Sequence, residues 1–276
     1  MLIEKAFDTG AVKLNYAEGP PSGPPVVLIH GFTDNWQMFS LLLPFLLPRW
    51  QIFAPDLRGH GRSGRAGSYT WDDFSEDVAA FLDGVVGQPA AVIGSSLGGL
   101  VSIRVAARRP QGVRALVVGD SPLYRGTMGE WWKKGTSPEV VEQRDKLKEL
   151  IRTGKPVAAL ARELALRYPQ RDAGWMRYIA RSCTQVDPGV FAVFDSGNPD
   201  YLLAQAELTE RLLSQITCPT LLLASEMLTP EDGQRALAQL PEGYLVRFEG
   251  MGHLLHQEKE GYQVIAAITH FLESLG

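Results

Sequence analysis

The chain has 276 residues, 45% of them hydrophobic and 21% charged, with a formal net charge of −4. This composition is globular rather than disordered, and the length admits one α/β domain or one domain with an insertion. Lysines and arginines are scattered among acidic residues, which leaves no basic face for nucleic acid, and Cys183 and Cys218 do not make a disulfide framework or a zinc site.

Both cysteines are expected as reduced, buried thiols. Glu4, Lys5 and Asp8 do not fit a secretory leader, and the most apolar stretch, 41–47, is short and contains Pro44. A cytoplasmic protein with no membrane partner, monomeric or homodimeric, is expected.

In chain order, segments around Ile3 to Phe7 and Val12 to Ala17 flank Asp8-Thr9-Gly10, a hairpin-like turn that predicts an antiparallel edge pair. Apolar runs at Val26 to Ile29, Ile52 to Ala54, Ala90 to Ile93 and Ala115 to Val118 read as buried parallel strands. Helical patterns at Trp71 to Val86 and Leu97 to Arg109 alternate with them, which predicts a doubly wound, mostly parallel sheet of the α/β class. After Asp120 the alternation stops, and strands resume only at Thr220 to Leu223 and Leu245 to Phe248.

The stretch between is expected to be helical. Ser137-Pro138-Glu139 reads as a cap with Pro at the first helical position, and further helices fit Val157 to Tyr168, Trp175 to Cys183, Pro188 to Phe194 and Leu202 to Leu213. Residues 1–122 and 215–276 therefore form the expected core, and 123–214 an inserted α-helical lid at the strand ends where ligands gather. A helical subdomain without a gating role is the plainer alternative. Trp131, Trp132, Tyr168, Trp175, Phe191 and Phe194 could wall a pocket or form the insert's own core.

The sharpest chemical signal is Gly94-Ser95-Ser96-Leu97-Gly98, which follows a strand and opens a helix. A serine projected from such a turn needs small residues two positions to either side, and Leu97 N–H then stands at a helix N-terminus where an oxyanion could form. Val27-Leu28-Ile29-His30-Gly31-Phe32 and Phe248-Glu249-Gly250-Met251-Gly252-His253 join this motif in order, and together they resemble the α/β-hydrolase superfamily.

That resemblance covers nearly the whole chain outside the insert. It implies an α/β-hydrolase fold with Ser96 as nucleophile, His253 as general base, and backbone N–H groups of Phe32 and Leu97 as oxyanion donors. His30 is then structural. His256 is the rival base, and His270 lies on a solvated helix face.

The acid departs from the superfamily's commonest pattern. Where Gly-x-x-Asp would follow the strand at 220–223, the chain reads Ala224-Ser225-Glu226-Met227-Leu228, with Leu228 in the usual acid position. Some relatives supply the acid one strand earlier, which points to Asp120. Asp120 could instead cap the turn through Ser121-Pro122; Glu226 is the alternative acid, and no working acid is the third.

Gly59-His60-Gly61-Arg62-Ser63-Gly64 fits a dinucleotide fingerprint formally, but it does not open a helix at once, and Asp56 to Ser63 instead resembles a loop common in α/β-hydrolases. The expected reaction is cleavage of a small carboxylic ester or lactone through an acyl-enzyme, with no cofactor and no metal. Three other readings stand: a carbon–carbon bond hydrolase or cofactor-independent dioxygenase on the same fold, a ligand receptor with slowed hydrolysis, and a nicotinamide enzyme using the Gly59 loop.

Overall fold

The computed structural model describes residues 2–124, 149, 151–152, 154, 156–167, 169, 172–193, 208–253 and 261–276. The first two strands, β1 (Ile3–Asp8) and β2 (Lys13–Glu18), form the expected antiparallel hairpin, whose turn uses Gly10 at φ 87°. Then follow β3 (Pro25–Ile29), a 3-10 turn (Trp36–Phe39), α1 (Leu43–Leu46), β4 (Gln51–Pro55), α2 (Trp71–Phe81), β5 (Ala90–Ser95), α3 (Leu97–Arg108) and β6 (Val113–Gly119). After the insert come β7 (Thr220–Ala224), α6 (Pro230–Leu237), β8 (Gly243–Arg247) and α7 (Gly261–Ser274).

The eight strands lie in the order β1-β2-β4-β3-β5-β6-β7-β8, parallel from β4 onward. Because side chains alternate along a strand, each buried strand feeds both faces. Val27, Ile29, Val92, Leu116 and Val118 face α2 and α3, while Val26, Leu28, Ala91, Ile93 and Val117 face α1 and α7. Double coverage is why these strands read as unbroken apolar runs. Within α3, Leu97, Leu100, Val101, Ile103 and Val105 are buried, each contributing about 1.5–3 kcal/mol.

In the insert, the described residues form α4 (Val157–Arg167), α5 (Ala173–Thr184), a 3-10 turn (Pro188–Val193) and a helical segment at 208–213, with no strand among them. The buried insert residues Leu160, Leu164, Met176, Ala180, Cys183 and Val190 are continuous with the core on the α2 and α3 face. Of the helix expected from Ser137, the described residues Glu149, Ile151 and Arg152 are helical and Ile151 is buried in the core, while its start, the 202–207 stretch, Trp131, Trp132, Tyr168, Phe194 and His256 fall outside the described residues.

Three boundaries differ from expectation. The helix at Trp71 stays α only to Phe81 and widens to a π turn over Leu82–Val86, where Gly84 lets the Phe7 ring approach to 2.6 Å from where a Cβ would stand. Pro188–Val193 winds as a 3-10 turn rather than an α-helix. The last strand begins at Gly243 and ends before Phe248, because an edge strand with alternating exposure shows no apolar run at its start. No helix among the described residues is long and apolar enough to cross a membrane.

Candidate active site

Ser96 sits between β5 and α3 with φ 53° and ψ −114°, a strained conformation for a residue with a side chain. Backbone bonds hold it there: its N–H donates to the Gly119 carbonyl at 2.9 Å, and its carbonyl accepts from Gly99 and Leu100 at 3.1 and 3.2 Å. The flanking glycines are obligatory in this packing. A Cβ on Gly94 would stand 2.3 Å from the Gly98 carbonyl oxygen, and one on Gly98 would stand 2.1 Å from that of Ile29. Leu97, next in line, opens α3 and is buried.

β6 ends beside this turn, and Asp120 follows it, fully buried and also at positive φ, 40°. Its Oδ1 accepts the N–H groups of Ser225 (2.9 Å), Met227 (3.0 Å) and Leu228 (2.9 Å) from the turn after β7. Its Oδ2 lies 2.8 Å from His253 Nδ1. Three converging amides are what a buried carboxylate needs to offset its lost hydration. Adjacency of β6 and β7 thus lets an aspartate on one strand occupy the turn on the next, where Leu228 now contributes its amide alone.

Glu226 stays exposed and accepts the backbone N–H of His253 at 3.0 Å, so it supports the loop and not the imidazole. With Nδ1 donating to Asp120, Nε2 of His253 is left as the proton acceptor.

The loop after β3 is built around His30. Its Nδ1 donates to the Gly31 carbonyl at 2.7 Å and its Nε2 accepts from Leu57 N–H at 2.9 Å, which fixes a neutral tautomer, and burial holds its pKa down at about 4. His60 packs edge-on against it with ring centroids 5.0 Å apart, its pKa lowered by burial to about 3. Neither is arranged as a base.

Beyond His30 the loop meets the insert. The Phe32 ring packs edge-on against Phe191 at 4.9 Å, and Asn35 Nδ2 donates to Ser182 Oγ (3.0 Å) and Gln185 Oε1 (3.3 Å). Asp34, which sequence reasoning passed over, is buried and accepts the Tyr178 hydroxyl from α5 at 2.8 Å. Burial pushes its carboxyl up to about 7 against the opposing pull of Tyr178 and His253. The signal that could have found it was an acidic residue three positions past His-Gly; its partner, 144 residues away, carried none.

The Gly59 loop closes on a side chain of its own. Asp56 accepts from Trp36 N–H (2.8 Å), Arg62 N–H (3.0 Å) and Asn15 Nδ2 (2.9 Å), and a Cβ on Gly61 would stand 2.3 Å from its Oδ2. Gly61 therefore makes room for a carboxylate, while Gly59 lies against Tyr69 and Val190 and Gly64 against Val12 and Lys13. Trp175 packs partly buried against the core, and His270 is exposed on α7. Cys183 and Cys218 are free, buried thiols, raised in pKa by that burial. Among the described residues no group of three or more His, Cys, Asp or Glu is arranged to hold a metal ion.

Comparison with known proteins matches residues 26–267 to the Alpha/beta hydrolase family. The chain is 27% identical over 288 aligned positions to 2-(acetamidomethylene)succinate hydrolase of Mesorhizobium japonicum, covering 99% of this chain and 96% of that one. It is 29% identical over 271 positions to pimeloyl-[acyl-carrier protein] methyl ester esterase of Chromobacterium violaceum, covering 94% and 98%. Among solved structures it resembles E-2-(acetamidomethylene)succinate hydrolase, with TM-score 0.76 at 24% identity over 99% and 100% of the chains. The enol-lactonase of Burkholderia xenovorans gives TM-score 0.75 at 18% identity over 98% and 100%.

Proposed function

Because this chain belongs to the alpha/beta hydrolase family, we propose that it is a hydrolase that cleaves a small carboxylic ester or lactone through an acyl-enzyme on Ser96. The observation that carries this reading is the 2.8 Å contact between His253 Nδ1 and the buried Asp120 carboxyl, on a fold whose Ser96 is held in a strained turn at the neighbouring strand end.

In this mechanism His253 Nε2 takes the Ser96 proton as Oγ attacks the carbonyl carbon, and the displaced electron pair settles on the carbonyl oxygen. Phe32 and Leu97 N–H groups stabilise that oxyanion. Collapse expels the alcohol, which takes the proton from His253, and water repeats the sequence to free the acid. Asp120 keeps the imidazole oriented and offsets its charge. The relatives named above, 2-(acetamidomethylene)succinate hydrolase and pimeloyl-[acyl-carrier protein] methyl ester esterase, support carboxylic acid derivatives as substrates.

The helical insert, 123–214, acts as the lid over this site. The bonds from α5 to the loop after β3 support that role.

A panel of p-nitrophenyl esters of increasing chain length, run beside lactones, tests the reading. Turnover should be lost on labelling with a phosphonate, whose mass should appear on the peptide bearing Ser96. Ser96→Ala should lower turnover by several powers of ten while staying folded, and His253→Ala with it should add little, since the two act as a unit. Near wild-type turnover in Ser96→Ala would overturn the acyl-enzyme and favour chemistry in which His253 alone moves a proton.

A further inference from the structure

Asp34 stands apart from the triad yet beside it. Its side chain is buried, and its Oδ1 accepts the Tyr178 hydroxyl at 2.8 Å. Its Oδ2 and the Ser96 Cβ both border the bare face of Gly31: a Cβ placed there would stand 3.7 Å from that oxygen and 3.4 Å from the Ser96 Cβ. The bare face of Gly31 is where the carboxyl and the nucleophile approach, within the span of a short acyl chain. On another side Asp34 lies within electrostatic reach of His253.

We propose that Asp34 is a specificity-determining residue of this site, selecting acyl groups whose remote end is neutral and able to hydrogen-bond, such as a carboxamide, over acyl groups that carry a free carboxylate there. The proposal rests on the hydrolase reading above.

The titratable groups facing Asp34 among the described residues are Tyr178 and Cys183 on α5 and His253 after β8, with Asp56 and Asp120 behind them. Of these His253 alone can carry positive charge, and its Nδ1 is engaged by Asp120. Among the described residues a substrate carboxylate would find no cationic side chain beside Asp34 other than His253, and would face the carboxylate of Asp34. At about 5 Å and an effective dielectric of about 20, such a like-charge contact costs on the order of a hundredfold in affinity. A carboxamide escapes this, because its C=O accepts from a protonated Asp34 and its N–H donates to an ionised one.

With the Asp34 carboxyl raised by burial to about 7, the discrimination grows as pH rises through that value. Below it, a protonated Asp34 can donate to a substrate carboxylate. Above it, two like charges meet.

Methyl succinamate and monomethyl succinate differ only in amide against carboxylate and suit the test. Their kcat/KM ratio, measured from about pH 5.5 to about pH 8.5, cancels every group that acts on both esters alike. The wild-type ratio should favour the amide and rise roughly tenfold or more across the range, toward the hundredfold expected from the charge contact. Asp34→Asn should hold it within about threefold and independent of pH.

Binding of the same two esters to Ser96→Ala, followed by calorimetry, reads the selection without turnover. A flat wild-type ratio near unity, an unchanged ratio in folded Asp34→Asn, or equal affinities in Ser96→Ala would each overturn the proposal. If the wild type turned over neither ester while Ser96→Ala still bound the amide at least about tenfold tighter, the hydrolase reading would fall and the selection by Asp34 would stand.

Discussion

The turn after β5 and the loop after β3 emerge from neighbouring strands and converge on the same site, yet they are held by different parts of the molecule. Ser96 is fixed by backbone bonds to Gly119, Gly99 and Leu100 and by glycines packed against the carbonyls of Ile29 and Gly98, all within the sheet and α3. The loop carrying Phe32 is anchored on the core side by His30 and Asp56, but on its outer side by Tyr178, Ser182, Gln185 and Phe191 of the insert. Half of the proposed machinery is therefore a product of the core. The other half is shared with the insert, so the insert bears on the proposed oxyanion donor as well as on the access proposed for it as a lid.

The largest test falls on the core half. Asp120→Asn should lower kcat/KM by roughly 10³ to 10⁴. The amide oxygen would stay with the N–H groups of Ser225, Met227 and Leu228, which turns the NH2 toward His253 Nδ1 and forces the wrong tautomer. Glu226→Gln should cost less than about tenfold, since its present bond is to a backbone N–H that an amide oxygen can still accept. Assays of both variants on one activated ester, with circular dichroism to check folding, decide it; the reverse pattern would make Glu226 the acid.

How far these features were legible in the sequence depends on separation along the chain. The Gly94-Ser95-Ser96-Leu97-Gly98 turn announces itself locally, because strand, glycines and helix are contiguous, and the β1–β2 hairpin is marked by its own turn. Asp120 could be picked from its place at a strand end, but not its cage of amides, which lies 105 to 108 residues away and needs β6 beside β7. The Asp34–Tyr178 bond spans 144 residues and shows in no local pattern. α6 was missed for a lesser reason. Thr229, Pro230, Glu231 and Asp232 are a recognisable start, with Thr229 accepting from Asp232 N–H, but the helix is short and its apolar positions are few.

A second core-side test is Gly98→Ala. Its methyl group would stand 2.1 Å from the Ile29 carbonyl oxygen and 2.6 Å from that of His30, so α3 must withdraw from β3 and carry Ser96 with it. Overpacking of this kind costs about 1–3 kcal/mol, and at roughly 2–4 °C per kcal/mol in a domain of this class the melting temperature should fall measurably. The loss of activity should be the same for short and long acyl esters, since nothing in the insert has changed.

On the shared half, Ser182→Ala removes one bond between Asn35 and α5 and leaves Asn35 accepting from Gln37 N–H. A drop in kcat of about tenfold that is equal for short and bulky esters is expected from a displaced oxyanion donor. A loss confined to the bulky ester, with kcat on the short one intact, would return the insert to a role in access alone.

The smallest effect concerns Tyr178→Phe, and it tests whether the insert also sets the charge of Asp34. Burial raises the folded-state pKa of Asp34 from 3.8 to about 7, and the Tyr178 hydroxyl opposes that rise. A group raised on folding lends stability that is fully present below its unfolded pKa and is lost as pH climbs through the folded one. Removing the hydroxyl pushes the folded value higher still, so the loss continues to higher pH. Below about pH 6 the variant should differ from wild type only by one hydrogen bond, about 0.5–1.5 kcal/mol. Between about pH 7 and about pH 8.5 the gap in melting temperature should widen by a few degrees more. His30 and His60, with folded values of about 4 and about 3, stay neutral in the fold across that window and are common to both proteins. Asp34→Asn introduced beside Tyr178→Phe should remove the widening. A gap that stayed constant from low to high pH would mean that Tyr178 ties the insert to the loop without tuning its carboxyl.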